Sequence, residues 1–224
     1  MGEMVTFPSN GKEAEGYLVK PASGNGPGVI VIQEWWGLND NIKDIADRLA
    51  GEGFVALAPD LYHGQVTAEP DEAMKIMMSM QMDQAARDLT GAVDYLVGLD
   101  ATTGSKVGCV GYCMGGGLSL VLATMKPQIG ACVIYYGVLR EQPELKNIQG
   151  AVLGHYAEHD QFASPEAGRA LEKQLKGLGK QAEFHVYPGT EHAFFNDTRP
   201  EAYKADAAKL SWERTLAFYR EHLG

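Results

Sequence analysis

Several features that mark other protein classes are missing from this sequence. It has three cysteines among 224 residues, too few for the disulfide framework of a small secreted domain, and no charged-then-apolar leader opens the chain. No uninterrupted apolar run reaches the length that spans a bilayer. We therefore expect a cytoplasmic protein that does not enter a membrane.

Positive charge is also scarce, because 19 Lys and Arg face 29 Asp and Glu and the formal net charge is -10. No basic cluster relieves this imbalance, and a negative long-range field repels polyanions. Nucleic acid and anionic membrane surfaces are therefore excluded as expected partners. The glycine spacings of the common nucleotide-binding loops are absent as well, so we expect a small-molecule substrate and no cofactor.

The pattern of apolar residues predicts a single α/β domain over residues 1–224. With 45% hydrophobic residues, the chain can bury a full core. The stretches Met4–Phe7 and Gly16–Val19, joined by a turn, predict an N-terminal antiparallel hairpin. Apolar runs then alternate with helical stretches, at 27–33, 54–58, 107–112, 131–136, 151–156 and 182–187. This alternation predicts a mostly parallel sheet with helices on both faces.

The run Gly-Tyr-Cys-Met-Gly, from Gly111 to Gly115, joins an apolar strand to a helical stretch that extends to about Met125. This is the pattern of a nucleophile elbow, in which a sharp turn lifts one side chain clear of the sheet edge. Glycine avoids a collision where strand and helix crowd together, and a helix N-terminus favours a thiolate. Cys113 is the candidate nucleophile, and the alternative is a buried structural cysteine.

A cysteine nucleophile needs a histidine as its proton acceptor, and ligands of parallel sheets bind beyond the carboxyl ends of the strands. His192 meets this condition because it follows the last predicted strand, and it completes the order nucleophile, acid, histidine. The other histidines lie within strands, near the chain end, or in loops where an ordinary role stays open: His63, His155, His159, His185 and His222.

Two carboxylates, Glu158 and Asp160, follow the strand 151–156. Asp160 stands further past the strand, just before the helix that Ser164 and Pro165 are expected to open. It is therefore the candidate that orients the imidazole. Glu158 is interpreted as a solvated loop charge.

The residues 155–159 also match the H-x-x-E-H pattern of some zinc peptidases. That pattern needs a helix, so that both imidazoles share one face. Here it starts on an apolar strand and ends in a loop, and we expect no metal site.

Taken together, these motifs resemble the dienelactone hydrolase family of the α/β-hydrolase superfamily, over nearly the whole chain. The resemblance rests on Gly-Tyr-Cys-Met-Gly-Gly-Gly at 111–117, Gln-Glu-Trp-Trp-Gly at 33–37, Asp160, and His-Ala-Phe from His192. It implies an α/β-hydrolase fold and a catalytic triad with Cys113 as nucleophile, His192 as base and Asp160 as the orienting acid.

The resemblance implies further site residues. Glu34 matches a family glutamate thought to contact the thiol and to help generate the thiolate when substrate enters. The backbone N–H groups of Trp35 and Met114 match the oxyanion hole.

Aromatic residues are the candidates for the walls of the substrate pocket. Trp35 and Trp36 stand where substrate would enter, although plain packing is the alternative for either ring. Tyr135 and Tyr136 either line the pocket or merely end a strand.

One departure from the family concerns the substrate's charge. Members that hydrolyse dienelactone hold its carboxylate with two arginines, one of them four residues after the histidine, where this chain has Asn196. The other lies between the fourth strand and the elbow, where no arginine precedes Arg87. The missing bidentate donors count against dienelactone itself and leave ester chemistry in place.

We therefore expect a cysteine hydrolase of small activated esters or lactones that works through a thioester acyl-enzyme, as a monomer or a weak homodimer. A thiolate leaves a tetrahedral intermediate more readily than an alkoxide, so enol and aryl esters should be preferred to alkyl esters. The alternatives are a non-catalytic scaffold that binds a small ligand or protein, and a redox-responsive thiol protein.

Overall fold

The computed structural model describes residues 2–139, 141 and 143–224. The strands are β1 (Glu3–Ser9), β2 (Lys12–Val19), β3 (Gly26–Ile32), β4 (Val55–Pro59), β5 (Thr102–Tyr112), β6 (Ile129–Tyr135), β7 (Ala151–Ala157) and β8 (Ala182–Tyr187). The helices are α1 (Asp40–Gly51), α2 (Pro70–Ser79), α3 (Met82–Gly98), α4 (Met114–Met125), α5 (Pro165–Gly177) and α6 (Ala205–Leu223), with a 3-10 turn at Leu145–Asn147.

The strands lie in one sheet in the order β1-β2-β4-β3-β5-β6-β7-β8. β1 pairs antiparallel with β2, and β2 pairs antiparallel with β4. The pairs β3–β4, β6–β7 and β7–β8 are parallel. The predicted α/β class, with an N-terminal antiparallel hairpin on a mostly parallel sheet, is therefore confirmed.

By its internal packing the chain divides into two compact units, one ending at Gly108 and the other running Cys109–Gly224. The single domain expected over 1–224 stays a prediction. Among the described residues, no helix combines the length and the apolar character needed to cross a membrane.

In the first unit, local sequence signals set the turns. Asn10 and Gly11 close the hairpin with positive φ angles of 43° and 85°, the backbone that Asn-Gly adopts readily in a two-residue loop. α1 begins after Asn39, whose side chain accepts a hydrogen bond from the N–H of Ile42 at 3.1 Å. Its apolar face packs on β4, and Glu34 follows the end of β3.

In the second unit, parallel pairing brings two loops together. The register places Ala157 of β7 opposite Tyr187 of β8, so the loops that follow these residues start side by side. The N–H of His159 in one loop donates to the carbonyl of Thr190 in the other at 2.9 Å. α5 then begins after Ser164, whose side chain caps it as expected.

Candidate active site

Cys113 occupies the sharp turn between β5 and α4. Its φ of 56° and ψ of -118° lie outside the regions that ordinary residues prefer, as a nucleophile elbow requires. The turn is held from two sides, because the N–H of Cys113 donates to Tyr135 O and the N–H of Gly116 donates to Cys113 O, both at 3.0 Å. The side chain is partly exposed, and α4 directs its N-terminus, with Met114 first, towards this turn.

The glycine before the nucleophile is required by close backbone packing. A Cβ atom at Gly111 would lie 1.8 Å from the carbonyl oxygen of Gly115, a distance that no arrangement of side chains relieves. The other two cysteines, Cys109 and Cys132, are buried at 0% and 1% exposure. Burial fits a structural role for those two residues and distinguishes them from Cys113.

Asp160 and His192 meet between the loops that follow β7 and β8. The Nδ1 atom of His192 lies 2.7 Å from Oδ2 of Asp160. The other carboxylate oxygen accepts hydrogen bonds from the N–H groups of Phe162 and Ala163, both at 2.8 Å. These backbone hydrogen bonds hold the carboxylate in place. Because Nδ1 of the imidazole faces Asp160, the other ring nitrogen, Nε2, points away from it.

His192 has Cys113 as its second hydrogen-bond partner. Burial by itself lowers the pKa of His192, but the hydrogen bonds and charges of Asp160 and Cys113 outweigh it and raise the pKa to about 10. The arrangement therefore stabilises an imidazolium between two acidic groups. All three side chains belong to the second unit.

Glu158, the other carboxylate considered, does not contact His192 in this way. It accepts a hydrogen bond from the N–H of Gly189 at 2.8 Å and lies 3.3 Å from Nε2 of the exposed His159. His155 lies on β7 and is fully buried. The H-x-x-E-H pattern is thus divided between a strand and a loop, as its sequence context indicated.

The two tyrosines predicted at the end of β6 have different surroundings. Tyr136, with a φ of 39°, is buried with its ring centroid 5.0 Å from that of His192. Tyr135 is fully buried, and its hydroxyl lies 3.0 Å from Thr215 Oγ1. Tyr136 therefore adjoins the histidine, whereas the Tyr135 side chain belongs to the core.

Sequence reasoning missed Phe162. The residue is 78% exposed, yet its ring stands edge-on to the His192 ring with centroids 5.3 Å apart. The available signal was a large aromatic residue two positions after the acid, in a loop whose other side chains are polar apart from Ala163. An exposed apolar ring beside the imidazole offers a contact surface for an apolar substrate group.

The roles expected for the remaining site residues stay predictions. Glu34 and Trp36 are buried in the first unit at 3% and 8% exposure, and the rings of Trp35 and Trp36 form an edge contact at 4.9 Å. Asn196 is buried, and its side-chain oxygen accepts from the N–H and hydroxyl of Thr198 at 3.1 and 2.7 Å. Part of its hydrogen-bonding capacity is therefore used within its own turn.

Comparison with known proteins adds independent findings. The model of the dienelactone hydrolase family matches residues 14–223. The chain is 40% identical to Protein usf of Aquifex pyrophilus over all of both chains. It is 36% identical, again over all of both, to an Aquifex aeolicus (strain VF5) protein provisionally named carboxymethylenebutenolidase.

Among solved structures, a protein of Klebsiella pneumoniae subsp. pneumoniae MGH 78578, provisionally named a dienelactone hydrolase, is similar at a TM-score of 0.88 and 27% identity, covering 98% of each chain. With the observed strand order, this likeness confirms the predicted α/β-hydrolase fold.

Proposed function

The chain belongs to the dienelactone hydrolase family, and from that premise we propose that it hydrolyses small activated esters or lactones with Cys113 as the nucleophile. The observation that carries the proposal is the position of His192, which has the Cys113 side chain and the Asp160 carboxylate as its two partners. That is the order of contacts in which an imidazole activates a nucleophile and is itself oriented by an acid.

The first half of the reaction forms a thioester. The thiolate of Cys113 attacks the substrate's carbonyl carbon, and the resulting oxyanion is stabilised by backbone N–H groups at the start of α4. When the intermediate collapses, the C–O bond breaks and the departing oxygen takes the proton of His192. Asp160 keeps the other imidazole nitrogen protonated throughout.

The second half uses the same histidine as a base. Once Cys113 is acylated, its negative charge no longer contributes to the raised pKa of His192, so the histidine becomes able to accept a proton from water. The resulting hydroxide attacks the thioester carbonyl, the C–S bond breaks, and the acid product leaves. The thiolate and the imidazolium are then restored.

The nature of the nucleophile sets the preferred leaving group. From the tetrahedral intermediate a thiolate departs more readily than an alkoxide, so an alkyl ester tends to return to substrate. An enolate or an aryloxide is a good enough leaving group to compete with the thiolate, so the intermediate of such an ester can go forward to the thioester. We expect kcat/KM for aryl acetates to exceed that for alkyl acetates, and the opposite order would contradict this step.

The local charge favours a neutral substrate. The residue four positions after His192 is Asn196, and Glu191 and Asp197 flank the same turn, so an acidic substrate would find no arginine fork there. Neutral lactones and aryl esters should therefore be hydrolysed faster than free-acid lactones, in a comparison of kcat/KM at constant ionic strength.

The decisive experiment replaces Cys113 with Ala and measures hydrolysis of p-nitrophenyl acetate. We expect kcat to fall at least about 10³-fold in this variant. Mass spectrometry should show an acetyl adduct on the peptide that contains Cys113 in the unsubstituted protein, and no adduct on the corresponding peptide of Cys113→Ala. Cys132→Ala is the matched control, because that cysteine is buried, and it should keep the activity. Undiminished turnover in Cys113→Ala would refute the proposal.

A non-catalytic or redox role remains the alternative proposal. It would gain support if neither turnover nor an acyl-enzyme were found across neutral lactones, free-acid lactones and aryl esters. A thiol that forms a reversible mixed disulfide without any acylation would favour the redox role.

A further inference from the structure

A chain of hydrogen-bonded polar side chains runs through the second unit from the half-buried Arg214 to the fully buried Tyr135. Arg214 Nη1 lies 3.1 Å from Tyr187 Oη, which lies 2.8 Å from His155 Nδ1. On the other side of the imidazole, His155 Nε2 lies 3.0 Å from Thr215 Oγ1, and that oxygen lies 3.0 Å from Tyr135 Oη. The proposed reaction uses none of these side-chain contacts.

The direction of each hydrogen bond follows from the groups that can only donate or can only accept. Thr215 Oγ1 lies 2.9 Å from the carbonyl of Ser211, which can only accept, so the single hydroxyl hydrogen of Thr215 is used there. Thr215 Oγ1 must then accept from both Tyr135 and His155 Nε2.

At the other end, Arg214 can only donate, so Tyr187 Oη accepts from Arg214. Tyr187 then donates its own hydrogen to His155 Nδ1. His155 is thus neutral with its hydrogen on Nε2, and burial, with the nearby charges of His185 and Arg214, lowers its pKa well below the usual value.

Tyr135, at the end of this chain, is in contact with the nucleophile's turn. Its carbonyl accepts the N–H of Cys113 at 3.0 Å, and its ring stacks on that of Tyr112 at 4.7 Å. Tyr112 immediately precedes Cys113 in the chain. A displacement of Tyr135 would therefore move the nucleophile's backbone.

The next residue touches the other side of the triad. Tyr136 has the unfavourable φ of 39°, its N–H donates to the carbonyl of His155 at 2.8 Å, and its ring contacts His192. Such a backbone persists only where neighbouring groups hold it in place. His155 supplies one of these contacts with its backbone and supports Tyr135 with its side chain.

We propose that Thr215 and His155 are positioning residues, whose directed hydrogen bonds fix Tyr135 and Tyr136 and thereby set the distance between Cys113 and His192. The inference rests on the proposed function, because it names the support of that same site. It links α6, where Thr215 lies, to a reaction at the carboxyl end of β6.

The test compares two hydroxyl deletions on one helix. Thr215→Val keeps the branched shape and removes the shared acceptor. Ser211→Ala removes an equally buried hydroxyl whose one partner among the described residues is Ala208 O of its own helix, at 2.9 Å. We expect Thr215→Val to lower kcat for p-nitrophenyl acetate roughly 10- to 100-fold with little change in KM. Ser211→Ala should stay within about twofold, and Thr215→Ser should restore most of the activity.

Two readouts do not depend on turnover. The rate of Cys113 alkylation by iodoacetamide, measured against pH, should shift in Thr215→Val and not in Ser211→Ala, because it reports the pairing of Cys113 with His192. The ¹⁵N NMR signals of His155 should show a protonated Nε2 and an unprotonated Nδ1 at neutral pH. These readouts separate a failure of this proposal from a failure of the hydrolase proposal, which Cys113→Ala decides.

The proposal is overturned if Thr215→Val, folded by circular dichroism, matches Ser211→Ala in kcat and in its alkylation profile, or if His155 carries its hydrogen on Nδ1. If Thr215→Val does not fold, Tyr135→Phe replaces it, because that change removes the hydroxyl and keeps the stacked ring. Equal kcat and alkylation profiles in Tyr135→Phe and Ser211→Ala would then overturn it.

Discussion

Replacing Asp160 with Asn tests the charge at the centre of the site with little disturbance of the fold. The Asn side-chain oxygen can keep the hydrogen bonds from the N–H groups of Phe162 and Ala163, which now reach the carboxylate at 2.8 Å. The Asn amide then points at Nδ1 of His192, where the carboxylate stood at 2.7 Å. That amide donates, so it selects the tautomer whose hydrogen lies on Nε2, the wrong nitrogen for accepting a proton near Cys113.

The size of the effect follows from the charge that Asp160 supplies. Raising the pKa of His192 from 6.5 to about 10 corresponds to roughly 5 kcal/mol in favour of the imidazolium. Asp160 and Cys113 together supply this gain and also overcome the opposing effect of burial. Loss of one partner of a buried charge pair typically costs about 3 kcal/mol, which is roughly 10²-fold in rate if the imidazolium is fully formed in the transition state. With the tautomer change, kcat should fall roughly 10²- to 10⁴-fold.

The assay is steady-state hydrolysis of p-nitrophenyl acetate at pH 7, with thermal unfolding of each variant as the check on folding. Glu158→Gln is the matched control, because it neutralises a carboxylate in the same loop whose partner is the N–H of Gly189. We expect full activity in the control. If Asp160→Asn keeps its activity within about threefold while both variants fold, Asp160 does not support His192 and the reasoning fails.

Three further predictions concern other residues of the second unit. Cys113→Ala should lower the pKa of His192 from about 10, because the thiol's hydrogen bond and charge are lost; an NMR titration that leaves it near 10 would rule out Cys113 as a partner. Phe162→Ala should raise KM for aryl esters roughly 3- to 10-fold through lost apolar contact without changing the melting temperature, since the residue is 78% exposed; an unchanged KM would show that Phe162 does not contact the substrate. Because the pKa of buried His155 is lowered below 6.5, the unfolded state binds a proton below that pH and the folded state does not. The free energy of urea unfolding should therefore fall from pH 7 to pH 5 by up to roughly 2 kcal/mol more in the unsubstituted protein than in His155→Gln, in which all other titrating groups are retained, and equal falls in the two proteins would show that His155 is not held neutral.

The parts of the fold that the sequence predicted well are those governed by local backbone chemistry. Ser164 caps α5, and Gly111 stands where a Cβ atom has no room. In each case the residue type itself satisfies or avoids a specific backbone contact, so one position carries the information. Strand ends were predicted only to within a few residues, because register depends on the neighbouring strand.

The candidate site was harder to predict where tertiary contacts decide the outcome. Tyr135 and Tyr136 are adjacent and chemically identical, yet one enters the core and the other adjoins His192. The difference arises from the φ of 39° at Tyr136, which redirects the chain and which no propensity favours for tyrosine. Phe162 was missed for a related reason, since its nearness to His192 follows from the turn around Asp160.

Two histidines of the second unit show how position along a strand separates two roles for one side chain. His155 lies within β7, where its ring nitrogens meet hydroxyl groups and burial lowers its pKa. His192 lies beyond the end of β8, where a loop can present a carboxylate and an elbow can present a thiol, and its pKa is raised. A neutral imidazole of fixed tautomer suits a permanent hydrogen-bonding role, whereas an imidazole whose pKa depends on a neighbouring cysteine suits proton transfer. The high proton affinity that His155 must lack to remain neutral in the core is therefore what the proposed proton transfer requires of His192 beyond the end of β8.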